Sequence, residues 1–267
     1  SVVLAHLVHS LQLDFGIAHV NYALRGAESD ADEQLVRDLA GSLGVACHVT
    51  KAPIAPDASG IQARARELRY HWFREVLKSN PYGTILTAHH ADDQLETLFM
   101  RLMRGSGLEG LGGIHEKNDV LVRPLLPFFK AEILAYAKDQ KLNWREDVSN
   151  STTKYLRNAI RHNVLPHFKE LSADAAVNTL TSMHHLRDAL AGIASQLQNI
   201  KKAWTKQGET FVIPLTSIGT LNPNSFWLHH LFAPYGFDVK EVEKLLKTHA
   251  VKKCTFDKYV LTLERDH

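Results

Sequence analysis

Residues 83–113 read GTILTAHHADDQLETLFMRLMRGSGLEGLGG. The opening six, Gly83 to Ala88, are small, apolar or β-branched, which suits a short strand. From about Asp92 to Arg104 the apolar positions Leu95, Leu98, Phe99 and Leu102 recur at helical spacing. A strand running straight into a helix predicts a β–α unit, with His89, His90, Asp92 and Asp93 at the strand's carboxyl end. Asp92 and Glu96 are four residues apart and Asp93 and Glu96 three apart, so their carboxylates are expected on one helical face. Acids suit a helix N-terminus in any case. Three acids behind two histidines exceed what capping requires, and Asp92, Asp93 and Glu96 become the candidate catalytic residues. Hard carboxylate oxygens suit Mg²⁺, with Asp92 and Asp93 as candidate ligands. Imidazoles beside acids would suit Zn²⁺ instead, which keeps a rival metallohydrolase open.

The same alternation extends upstream. Val2, Val3, Leu4, Leu7, Val8 and Leu11 repeat at helical spacing. A helix opening at Ser1 with no capping segment before it reads as cut. Phe15 to Asn21 is a short buried strand, with His19 and Asn21 at its carboxyl end. Ser29 stands where an N-cap would, followed by Asp30, Asp32 and Glu33, and Leu35, Val36, Leu39 and Leu43 form the helix's apolar stripe up to Gly44. Val45 to Thr50 is a strand and Ile61 to Lys78 a helix. Short strands alternating with helices of twelve to eighteen residues predict an α/β fold with a doubly wound parallel sheet, whose functional loops lie at the strands' carboxyl ends.

Beyond Leu121 the pattern changes. Arg123 to Pro127 is extended, Lys130 to Gln140 a short helix, and Trp144 to Tyr155 loop-like. A helix follows to about Leu165, where Pro166 discourages continuation. A long helix is expected over Ala173 to Trp204, with Leu180, Met183, Leu186, Leu190, Ile193 and Leu197 on one face, and a strand pair over Cys254 to Leu263. The division predicted is residues 1–172 for the α/β domain and 173–267 for a second, mainly helical α+β domain.

Composition bounds the partners without choosing one. The 267 residues are 45% hydrophobic and 22% charged, ordinary for a globular protein. A net charge of +2 neither demands nor excludes nucleic acid, so the placement of charge decides. Cys47 and Cys254 are far apart and form neither a disulfide framework nor a thiolate metal motif, which favours a reducing compartment. With no apolar run of spanning length and no leader, the cytoplasm is the expected location and no membrane partner is expected. The basic residues gather in two places. Arg64, Arg66, Arg69, Arg74 and Lys78 share a helix with Tyr70, Trp72 and Phe73, balanced in part by Glu67 and Glu75. In the second stretch Lys154, Arg157 and Arg161 recur at i, i+3, i+7 with no acid between them, the footprint expected for a phosphate backbone.

Several stretches together resemble a known family. HVNYALRGAES at 19–29, ARARELRY at 63–70, HHADDQLETLFMRLMRGSGLEGLGG at 89–113, RPLL at 123–126, WREDVSN at 144–150 and RNAIR at 157–161 resemble the tRNA(Ile)-lysidine synthetases, in unbroken order over roughly residues 1–170. Two positions depart from that pattern. Tyr22 stands where the family has a histidine, and only Ser1 matches the end of the family's Ser-Gly-Gly-x-Asp-Ser loop. A chain without that loop is expected not to turn over.

The resemblance implies a PP-loop ATP pyrophosphatase. ATP, with Mg²⁺, adenylates the C2 oxygen of the wobble cytidine in an isoleucine tRNA, and free L-lysine then displaces AMP to leave lysidine. It further implies Ser1 at the nucleotide, and Asp92, Asp93 and Glu96 at the metal or the lysine ammonium, while His19 and Asn21 are placed at the adenine or ribose by their strand-end position alone. Arg64, Arg69, Arg157 and Arg161 would meet tRNA phosphates. Another PP-loop tRNA-modifying ATPase and a catalytically silent tRNA-binding module stand as alternatives, and a homodimer is left open.

Overall fold

The computed structural model describes residues 1–54, 60–145, 155–248 and 252–264. The chain falls into two compact units, residues 1–186 and 187–267. The boundary expected from the sequence lies earlier, near residue 172.

The first unit opens with α1 (Val2–Ser10), β1 (Gly16–Asn21), α2 (Ala27–Leu43) and β2 (Ala46–Lys51). β1 and β2 pair in parallel from Gly16 opposite Ala46 to Asn21 opposite Lys51, so β1–α2–β2 is a crossover unit of the kind the alternation predicted. Gly44 closes α2 in the left-handed conformation at φ 67°, as a helix-ending glycine should. Ser29 is not the N-cap. The helix starts at Ala27 behind Gly26, and Ser29 is buried within its first turns, where its hydroxyl accepts from the Arg25 N–H at 3.1 Å.

Next come α3 (Ile61–Ser79), β3 (Ile85–Leu86), α4 (Ala91–Leu102), α5 (Leu108–Leu111), β4 (Lys117–Asn118) and β5 (Leu121–Val122). β5 pairs in parallel with β3 and antiparallel with β4. The α/β class therefore stands, although among the described residues of this unit the strands form two small sheets and not one doubly wound sheet. The strand read over 83–88 contributes only Ile85 and Leu86 to regular pairing. α4 runs out of it as expected, with Leu95 and Leu98 buried, whereas Leu102 is half exposed.

The glycine-rich segment after α4 is fastened back onto that helix. Gln94 donates from Nε2 to the Ile114 carbonyl at 2.8 Å and accepts the Ile114 N–H at 2.6 Å. Gly113, at φ 77°, has no room for a side chain: a Cβ there would lie 2.5 Å from Gln94 Oε1 and 2.3 Å from Met183 Cε.

α6 (Lys130–Asp139), α7 (Leu156–Ala159), a π-helical turn (Ile160–Val164) and α8 (Leu165–Leu171) follow. Pro166 does not stop the helix near Leu165. Proline lacks an N–H and clashes with the carbonyl four residues back, and the wide π turn supplies the room just before it. Leu95, Ile160, Leu165 and Ala176 form one buried cluster with Phe99, Met100, Phe129 and Leu180, and Leu4, Val8 and Leu125 form another. Met183, on the expected face of α9 (Ala175–Lys201), is also buried.

The second unit holds the end of α9, the hairpin of β6 (Thr205–Gln207) and β7 (Thr210–Val212), α10 (Thr216–Gly219), α11 (Asn224–Phe232) and α12 (Val239–Leu246). The antiparallel pair β8 (Lys252–Phe256) and β9 (Tyr259–Leu263) matches the strand pair expected from the sequence. Its core gathers Ile200, Ile218, Leu228, Leu231, Phe232, Phe237 and Val242. Among the described residues no helix is long and apolar enough to cross a membrane.

Candidate functional site

The N-terminal half of α4 carries the densest charge arrangement in the first unit. His90 is the N-cap, and Asp93 Oδ2 accepts its backbone N–H at 2.9 Å, which fixes the first turn. The other oxygen of Asp93 takes Arg157 Nη2 at 2.6 Å. Glu96, with no exposed surface, is gripped on both oxygens: Oε2 by Arg157 Nε at 2.6 Å and Oε1 by Arg161 Nε at 2.6 Å. Arg161 Nη2 adds a bond to Oε2 at 3.0 Å. A carboxylate withdrawn from water to this degree persists only when charge-assisted bonds replace its hydration.

Asp92 points elsewhere. Its Oδ2 accepts the Lys130 N–H at 2.8 Å, capping the start of α6, and its Oδ1 takes the ammonium of Lys169 on α8. Burial drives the Asp92 pKa upward, but bonds from the His90 side chain, the Lys130 backbone and Lys169 outweigh it. The group is held well below the usual aspartate range. Three acids thus meet three cations.

The three expected acids are brought together, but they divide between two sets of partners. Arg157 and Arg161 come to the same place. Their stripe is acid-free along its own helix and faces the acids of α4 in space.

That pairing bears on the metal. Every oxygen of Asp92, Asp93 and Glu96 already accepts a hydrogen bond or ion pair, and two guanidiniums and an ammonium crowd them. In this arrangement the donor set does not fit Mg²⁺, which wants several open oxygens at short distance. Nor do three His, Cys, Asp or Glu side chains converge as a metal site among the described residues, so the zinc alternative gains nothing. His90 lies 3.5 Å from Asp92 and 3.6 Å from Asp93.

The sequence offers His89 only as an alternative zinc ligand, yet it lies within the electrostatic reach of this cluster. Its Nδ1 is 2.9 Å from Thr87 Oγ1. Burial lowers its pKa to about 4, with Arg123, Arg157 and Arg66 pushing the same way and Asp93 opposing. It is neutral at pH 7. Arg123, from the RPLL stretch, is buried and donates to the His115 carbonyl at 2.6 Å.

His19 and Asn21, at the end of β1, line a separate cleft of about 70 Å³ with Tyr22, Arg25, Ser29 and Asp32. That is far below the roughly 300 Å³ of a typical ligand cleft. Asn21 is buried and fully engaged: Nδ2 donates to Asp30 and Glu33 at 3.0 and 2.9 Å, and Oδ1 accepts the Ala23 N–H at 2.9 Å. Its local job is to join β1 to α2. Burial lowers the His19 pKa, against the pull of Glu33 and Asp32. Ser1 heads α1.

Arg64 and Arg69 lie exposed on α3, where no residue is buried, and among the described residues neither makes an ion pair. Arg66 and Arg69 stack over the Tyr70 ring at 4.8 and 5.8 Å. Tyr22, the departure from the family's histidine, donates its hydroxyl to the Ala65 carbonyl at 2.7 Å and so ties this helix to the end of β1. Of the remaining motif residues, Glu146 to Asn150 and Lys154 lie outside the described residues.

Residues 1–168 match the family described as a PP-loop domain. The tRNA(Ile)-lysidine synthase of Chlorobaculum tepidum is 40% identical over 188 residues, covering 67% of this chain and 57% of that protein. The tRNA(Ile)-lysidine synthase of Porphyromonas gingivalis strain W83 is 34% identical over 258 residues, covering 92% and 54%. The chain thus spans a little over half the length of these curated relatives. Among solved structures, the U34-tRNA thiolase NcsA from Methanococcus maripaludis with its [4Fe-4S] cluster aligns with a TM-score of 0.58. The alignment covers 70% of this chain and 67% of that one at 14% identity, a likeness of fold alone.

Proposed function

The chain belongs to the PP-loop domain family, and from that premise we propose that it serves the ATP-dependent conversion of a wobble cytidine in an isoleucine tRNA to lysidine. The observation that carries the proposal is the head of α4. It is a β-strand-to-helix junction with three acids and matching cations, inside a sequence 40% identical to a lysidine synthase over 188 residues.

In the proposed reaction the C2 oxygen of cytidine attacks the α-phosphate of ATP, the α–β bond breaks and pyrophosphate leaves. The amine of free lysine then adds at C2 and AMP departs with the oxygen. Asp92, Asp93 and Glu96 are the groups we assign to the lysine ammonium. With all their oxygens in use, they receive it by exchanging one of their own cations. Magnesium is left out of the α4 site in this proposal. Ser1, His19 and Asn21 are the weaker assignments to the nucleotide, since Asn21 is already saturated by α2.

For the tRNA phosphates we favour Arg64 and Arg69, whose guanidiniums are open to solvent, over Arg157 and Arg161, whose charges are spent on carboxylates. Incubating the full natural chain with ATP, L-lysine and unmodified isoleucine tRNA should convert the wobble nucleoside to lysidine, read by mass spectrometry of the digested RNA. Omitting lysine should leave pyrophosphate exchange intact and abolish the new nucleoside. An unchanged cytidine under complete conditions would overturn the proposal. Light scattering of the same preparation tests for the homodimer.

A further inference from the structure

We infer that Lys169 is a positioning residue for Asp92, and that the π turn between α7 and α8 is what delivers it there. Arg157 and Arg161, four apart, share a helical face without help. Lys169 is twelve residues beyond Arg157. At about 100° per residue, twelve α-helical steps would leave it about 120° around the axis from Arg157, off the face that meets α4. The π turn at Ile160–Val164 takes up one residue more than an α-helical turn. With one residue absorbed, eleven effective steps bring Lys169 back to within about 20° of Arg157. The three cations then form one row against Asp93, Glu96 and Asp92, and Leu165 and Phe168 keep their packing, the latter 5.4 Å from Phe99.

The pairing at the end of that row is more than a surface ion pair. Asp92 has a side chain only 14% exposed, and Lys169 reaches it across the Phe129 ring, 5.3 Å from the ring centre. With its other oxygen capping α6 at Lys130, Asp92 joins α4, α6 and α8. Because Asp92 adjoins Asp93 in the first turn of α4, this tie sets the direction in which the next carboxylate points. Lys169 acts through Asp92 and is not assigned any contact with substrate.

The kinetic arm of the test rests on the function proposed above and uses the full natural chain. Lys169→Met should lower kcat for lysidine formation at least about tenfold, within the roughly hundredfold that a misplacement of about 1 Å can cost. The KM values for ATP and lysine should stay near wild type. Lys169→Arg should restore most of the rate, which a merely structural loss of packing would not predict. The register is tested by deleting Asn163 together with Pro166→Ala. Losing a residue from mid-helix normally rotates everything beyond it, but here it should preserve kcat, because the π turn already holds one residue too many. An alanine inserted after Asn163 should cost as much as Lys169→Met. Wild-type kcat in Lys169→Met, or a deletion as damaging as the insertion, would overturn the inference. If the unaltered chain makes no lysidine, the function fails instead. The pair is then read by thermal unfolding of Asp92→Asn, Lys169→Met and the double variant, where strict additivity would overturn it.

Discussion

Two basic helices of similar sequence character have opposite fates. On α3, Arg64, Arg66 and Arg69 alternate with aromatic residues and have Glu67 nearby, which reads as a balanced, solvated face. On α7 and the π turn, Arg157 and Arg161 have no acid nearby in sequence, which reads as a face waiting for phosphate. The structure sets the two apart by what each stripe faces. Arg64, Arg66 and Arg69 are exposed and carry no ion pair among the described residues, and Arg66 and Arg69 stack on Tyr70, while Arg157 and Arg161 are consumed by Asp93 and Glu96. Local charge balance says whether a stripe is neutral along its own helix. It does not say what the stripe faces, and that decides whether its charge is available to a partner.

The contrast can be broken most forcefully at Glu96. Glu96→Gln leaves two partly buried guanidiniums with a single acid between them and should destabilise the first unit by about 3 kcal/mol or more, read from the denaturant midpoint. A loss under about 1 kcal/mol would mean that the pairs are no more than surface bridges. Next comes RNA affinity. Replacing Arg64, Arg66 and Arg69 with alanine should weaken tRNA binding at least about tenfold, with stability untouched. The salt slope should fall by roughly one for each phosphate that the arginines no longer neutralise. Arg157→Ala should do the reverse, costing stability and leaving the slope alone.

A smaller, pH-linked effect sharpens the picture at His89. Its folded pKa is depressed, so the neutral ring favours the fold above the unfolded value of about 6.5, and that contribution is lost as pH falls toward 4. Urea unfolding of the chain at pH 7 and pH 5 should show the loss, and His89→Gln should flatten the difference. The smallest effect belongs to Tyr22→Phe. Removing its hydroxyl from the Ala65 carbonyl should cost about 1 kcal/mol and loosen α3 without altering the charge cluster, as hydrogen exchange along α3 would report.

What the sequence revealed was local. Gly44 had to end α2, apolar spacing had to bury Leu95 and Leu98, and a strand had to precede His89. Each of those follows from backbone geometry within a few residues. The errors arose where a distant partner or an irregular turn decides. Ser29 lost the cap to Gly26, whose positive φ starts the helix earlier. Pro166 failed to end a helix because a π turn made space, and uniform 3.6-residue spacing cannot reveal such a turn. Asp92, Asp93 and Glu96 were found as a group, since acids three and four apart are neighbours on a helix. Their division between Lys169 and the arginine pair depends on α7 and α8, more than sixty residues away.

Gln94 carries one last implication. Its carboxamide imitates a strand partner, giving one proton to and taking one from the same residue, Ile114, across a glycine that tolerates no substituent. Exchanging that NH₂ for an oxygen, as deamidation does, would set two oxygens against each other and unfasten the loop. Gln94→Glu makes that exchange directly and should expose the segment to proteolytic nicking around Gly112 and Gly113.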